Sequence, residues 1–120
     1  MGKRITAYKV LRVAKWERLS YSAPPPGCLR YYPGQKTSPP PRCGPLAVFD
    51  TIESAKKFLE SRRFPPFHYK LEIWEGEAEE AEIQCEVWVP GSHLLIQELP
   101  KGTVLVRSFI PKRLVYALQS

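Results

Sequence analysis

One stretch constrains the rest of the chain more than any other: Leu46-Ala-Val-Phe-Asp-Thr-Ile-Glu-Ser-Ala-Lys-Lys-Phe-Leu-Glu-Ser-Arg-Arg63. It is the only segment that reads clearly as a helix, over about residues 51–62, and it leaves directly from a short apolar strand. Ile52, Ala55, Phe58 and Leu59 recur at helical spacing and form one apolar stripe. Asp50 or Thr51 can cap the first turn, and Pro65-Pro66 forbids continuation. A single amphipathic helix must bury its stripe against something, and almost everything else in the chain alternates with period two. The expected fold is therefore α+β: a bent, mainly antiparallel sheet with one principal helix laid on it.

The alternation places strands at Ile5–Val13, Leu19–Ala23, Cys28–Tyr32, His68–Glu75, Ile83–Val89, Thr103–Phe109 and Lys112–Leu118, with His93–Glu98 pairing back after Pro90-Gly91. In the first, Ile5, Ala7, Leu11 and Val13 share one side with Lys9, while Tyr8 and Val10 share the other with Thr6 and Arg12. Mixed faces of this kind predict a strand covered on both sides. The strand after the helix reads as one-sided, with Tyr69, Leu71 and Ile73 inward and Glu72 and Trp74 outward. Ile83, Cys85, Val87 and Val89 read as a further inward row, and Gly76–Glu82 as a solvated acidic bend. Pro24 to Pro45 holds eight prolines, a stiffened loop region within the single domain of residues 1–120.

No run of eighteen apolar residues exists, which excludes a membrane-spanning helix, and the charged start Met-Gly-Lys-Arg does not read as a secretory signal. The expected compartment is the cytoplasm. Cys28, Cys43 and Cys85 form no close pair; free thiols are the expected state, with a Cys28–Cys43 bridge as the alternative. The absence of asparagine, the single methionine and the thirteen prolines resemble a heat-adapted composition.

The net charge of +6 is unevenly spread. Residues 1–43 carry nine Lys/Arg and one acid, residues 44–100 carry five and eleven, and residues 101–120 carry four and none. If the two basic ends meet in one sheet, the molecule has a basic side and an acidic side, which suits an acidic partner.

The ordered motifs Tyr8-Lys-Val-Leu-Arg, Tyr32-Pro-Gly-Gln-Lys-Thr, Leu46-Ala-Val-Phe-Asp-Thr-Ile-Glu-Ser-Ala-Lys-Lys-Phe, Glu72-Ile-Trp-Glu-Gly-Glu and Pro100-Lys-Gly-Thr-Val-Leu-Val resemble those of a group of small uncharacterised α+β proteins from bacteriophages and microbial genomes. The resemblance covers most of residues 5–115 and implies a compact accessory module, with no assigned reaction to carry over.

No catalytic, cofactor-binding or metal-ligating set is assigned. His68 and His93 lack a flanking Asp, the three cysteines are scattered, and Gly27, Gly34 and Gly44 are isolated by proline. Arg12, Ser20-Tyr21-Ser22 and Glu75-Gly76-Glu77 follow the Arg…Ser…Glu order of ADP-ribosyltransferases, a distant alternative. The candidate anionic-partner surface is Arg12, Lys15, Trp16, Arg18, Arg30, Tyr31, Lys36 and Arg42: cations for phosphates or carboxylates, interleaved with aromatic rings that can stack bases. The expected function is a non-enzymatic binding or modulator module acting on a host macromolecule. Its partner would be an acidic macromolecule, protein or nucleic acid, and nucleic-acid binding through the basic first third is the alternative.

Overall fold

The computed structural model describes residues 3–14, 17–20, 29–61 and 70–119. It has the expected α+β architecture. In chain order the elements are β1 (Arg4–Ala14), β2 (Glu17–Ser20), β3 (Leu46–Phe49), α1 (Ile52–Ser61), β4 (Lys70–Glu80), β5 (Glu86–Val89), β6 (Ser92–Leu95) and β7 (Thr103–Gln119). A single 3-10 turn follows β6 at Ile96–Glu98.

The main sheet bends so far that its pairings run full circle. β1 pairs with β4 along its length, β4 with β7, β7 with β3, and β3 returns to β1 through Tyr8 and Phe49, all antiparallel. β2 takes over the edge of β1 from Leu11 to Ala14. Beyond it the segment Leu29–Thr37 straps across, bridging Leu19 through Arg30 and Phe109 through Thr37. Closing a sheet on so few strands demands sharp bending, and three register shifts in the β4–β7 ladder supply it. At one of them Gly76 passes the Ile110 carbonyl so closely that any Cβ would overlap it. Pro111 lies opposite Gly76, at an irregularity where a missing N–H is tolerated.

Closure gives the sheet an inside and an outside. Inside lie Ala7, Leu11, Tyr31, Leu46, Val48, Trp74, Ala78, Val106 and Phe109. Outside, Ala55 and Leu59 of α1 bury the predicted stripe against Val10, Phe49, Leu71 and Ile73, with Phe58 packed alongside. Thr51 rather than Asp50 caps the helix, its Oγ1 accepting from the Ser54 N–H at 3.1 Å.

β1 is covered on both faces, as its mixed pattern requires. Several finer expectations are corrected. β4 is not one-sided: Glu72 and Trp74 are buried inside while Leu71 and Ile73 are buried under the helix. β4 also runs on to Glu80 through the predicted acidic bend. Ile83 is 75% exposed and Cys85 is exposed, because the strand begins only at Glu86. Thr103 to Gln119 is one strand, since the bulge at Pro111 lets it continue. Of the strand expected at Cys28–Tyr32 only the bridge at Arg30 forms among the described residues.

Candidate functional site

The ring of strands has a seam between β1 and β3. The two pair in register at one position, Tyr8 with Phe49, and β2 begins to pair only at Leu11, so Lys9 and Val10 fall in a gap of the ladder. Alternation puts Lys9 in the interior row with Ala7 and Leu11. Its Nζ crosses the gap and donates to the Ala47 carbonyl at 2.6 Å, supplying a bond the backbone ladder does not make there. The same ammonium lies 5.9 Å from the centre of the Tyr31 ring, within cation–π range.

Outside the seam, the proline-rich segment and the β5–β6 hairpin build two walls. Trp88 lies flat on the backbone of Gly44, whose N–H donates to the Trp88 carbonyl at 2.8 Å. A Cβ at position 44 would overlap the indole, so the contact requires glycine. The walls and the seam enclose a cleft of about 320 Å³. Its lining is mainly apolar, from Pro40, Leu46, Phe49, Trp88 and Leu99, with Lys9, Tyr31, His93 and Glu98 as its ionisable side chains beside Cys43. Removal from water lowers the pKa of Lys9 from 10.5 to about 8.

Diagonally across the β1–β4 ladder, the interior row holds a second charged group. Glu72 is 2% exposed. Its Oε1 accepts from Arg18 Nε at 2.8 Å and from Trp74 Nε1 at 2.8 Å, and Lys70 Nζ stands 3.7 Å from its Oε2. The Arg18 guanidinium also lies 5.0 Å from the Trp74 ring. Glu72 thus has two hydrogen bonds to Oε1 and two cations beside its charge.

The sequence-predicted partner surface is only partly assembled. Arg30, Lys36 and Arg42 are exposed on the strap and the loop after it, and Arg30 makes a surface pair with Glu17 at 3.3 Å. Arg12 is half-buried, in register with Leu71 and Leu19. Arg18 is turned inward to Glu72, and Tyr31 is corrected from surface to core, being 1% exposed against Phe109. Its neighbour Tyr32 is the exposed ring. Lys15 and Trp16 lie outside the described residues, as do Tyr21, His68 and Cys28 of the Cys28–Cys43 alternative; Cys43 is a half-buried free thiol.

The expected split into a basic and an acidic side is also corrected. Acidic β4 is laid between basic β1 and basic β7, so the opposite charges meet across strands: Arg4–Glu77 at 3.7 Å, Arg107–Glu79 at 3.8 Å and Arg113–Glu75 at 3.0 Å. Exposed pairs like these add little stability, but they show the opposite charges interleaved along β4 rather than segregated to two sides.

Glu75 is held by the Tyr8 hydroxyl at 3.1 Å and by Arg113; burial first, and that hydrogen bond second, raise the Tyr8 pKa. Arg12 lies four residues along the same ladder, roughly 13 Å away at ~3.3 Å per residue, and Ser22 lies outside the described residues. The Arg…Ser…Glu set is not gathered among the described residues. Nor do any three His, Cys, Asp or Glu of the described residues group as a metal ion would need.

What sequence reasoning missed is the cleft and Lys9. The signal was present: a lysine occupied the apolar register of β1. Against known proteins, no family model, no curated protein and no solved structure matches the chain. Among the described residues no helix is long and apolar enough to cross a membrane.

Proposed function

We propose that the protein is a non-enzymatic binding module and that its ligand sits in the cleft at the β1–β3 seam. The observation that supports this reading is a mainly apolar cleft of about 320 Å³ with one basic side chain at its floor, the composition typical of a small-molecule site. Titrating the protein with 1-octanol while following tryptophan fluorescence tests it, because Trp88 forms a wall. Saturable one-to-one binding is expected. Ala47→Trp, which fills the cleft, should abolish it at unchanged secondary structure. A wild type that shows no saturation overturns the proposal.

A second reading, an accessory module docking on nucleic acid, is favoured by one observation: Tyr32 is exposed among the exposed cations Arg30, Lys36 and Arg42. The resemblance to phage and microbial proteins would make that nucleic acid the host's. Binding of single-stranded DNA should then weaken by about 0.7 logarithmic unit per phosphate contacted for each tenfold rise in salt. Lys36→Glu with Arg42→Glu should eliminate it. Equal retention of wild type and variant on a heparin column would sink this reading.

A further inference from the structure

We propose that Lys9 is the anchoring group of the seam cleft and that the cleft takes a small carboxylate with an apolar body. This rests on the cleft being a binding site. A lysine ammonium has three N–H groups, and one is given to the Ala47 carbonyl. Among the described residues no carboxylate pairs with it. Glu72, the acid nearest in the interior row, stands opposite Leu11 while Lys9 stands opposite Trp74, and Glu72 is taken by Arg18, Trp74 and Lys70. On the cleft wall Glu98 accepts from the Leu95 N–H at 2.7 Å. The half-buried lysine thus has its ammonium largely withdrawn from water, with a carbonyl and a ring face in exchange and no counter-charge among the described residues.

A cation in that position gains most from an anion that arrives already carrying its own apolar body. The walls give that body its place, with Pro40, Leu46, Trp88 and Leu99 offering carbon surface. A volume of about 320 Å³ holds roughly ten non-hydrogen atoms at ~30 Å³ each. One ammonium with two free donors matches a monoanionic carboxylate. A phosphate dianion would meet a single ammonium there, since Lys9 is the one Lys or Arg among the lining residues.

The test uses the full chain and three probes of one length: octanoate, 1-octanol and octylammonium, compared by isothermal titration at pH 7. Octanoate should bind the wild type at least tenfold tighter than octanol, and octylammonium more weakly than either. In Lys9→Met the preference for octanoate should fall to within about twofold, with octanol binding retained. Octanoate should also protect Lys9 of the wild type from reductive methylation, read by peptide mass spectrometry, an outcome independent of any variant. Equal binding of octanoate and octanol overturns the role of Lys9 and leaves the cleft reading standing. So does a preference that survives Lys9→Met. If no probe saturates, both fall.

Discussion

Glu72 and Lys9 are diagonal neighbours in the same interior row, one on β4 and one on β1, yet the fold treats their charges in opposite ways. Glu72 is enclosed by an arginine, a lysine and an indole N–H, and Trp74 stacks on the same arginine. Lys9 has one carbonyl and one ring face. Each is an exception to the rule that small barrel interiors are filled by apolar side chains. The first exception is closed on itself and belongs to the scaffold. The second is open toward a cleft. Residues that break a local rule without an internal compensation are where function is expected to reside, and the contrast locates that place at the seam rather than at the more heavily charged cluster.

The comparison is most easily broken at Glu72. Leucine there would leave Arg18 and the Trp74 N–H without an acceptor in the interior. Stranding one partner of a buried pair costs about 3–5 kcal/mol, and Arg18, whose side chain is 30% exposed, sets the expectation near the lower end. Combining Glu72→Leu with Arg18→Met should recover most of the loss, because a pair removed together leaves no orphan charge. Urea denaturation of the single and double variants measures both. A single variant that loses less than about 1 kcal/mol would mean that the cluster is ornamental and the two charges are not so different.

How much of this contrast was legible in the sequence follows from what period-two alternation can carry. It separates the two faces of a strand but does not say whether both are covered. For β1 the apolar residues on both faces answered that question. For β4 they did not, because Glu72 and Trp74 look outward-facing until Arg18 is brought over them by β2. The helix was readable to within a residue at each end, since its stripe, its cap at Thr51 and the prolines beyond it are local signals. The cleft was not readable, because it is made by distant pieces: the gap between β1 and β3, Gly44 and the Trp88 hairpin. The charge blocks misled for the opposite reason. They are contiguous in sequence, and the antiparallel pairing of β4 between β1 and β7 interleaves them in space.

The smaller and sharper expectation concerns Lys9 itself. If its ammonium is held without a counter-charge, the folded protein gains when the charge is deleted. The fall in pKa from 10.5 to about 8, at ~1.4 kcal/mol for each tenfold change in proton affinity, puts a ceiling of about 3.5 kcal/mol on that gain. Solvent reaching the cleft and loss of the bond to Ala47 reduce it, so Lys9→Met should be stabilised by about 1–2 kcal/mol at pH 7. The sign with pH follows from proton counting. Between about pH 8 and 10.5 the unfolded chain keeps the Lys9 proton and the folded chain has released it, so wild-type stability rises with pH over that window relative to a variant that cannot titrate there. The advantage of Lys9→Met should therefore be full below pH 8 and shrink toward pH 10.5. Tyr8, whose pKa is raised, titrates in both proteins and cancels in the difference. Paired urea melts at pH 7, 8.5 and 10 measure it. A Lys9→Met protein that is less stable than wild type at pH 7, by a margin independent of pH, would place Lys9 with Glu72 in the scaffold and end the distinction between them.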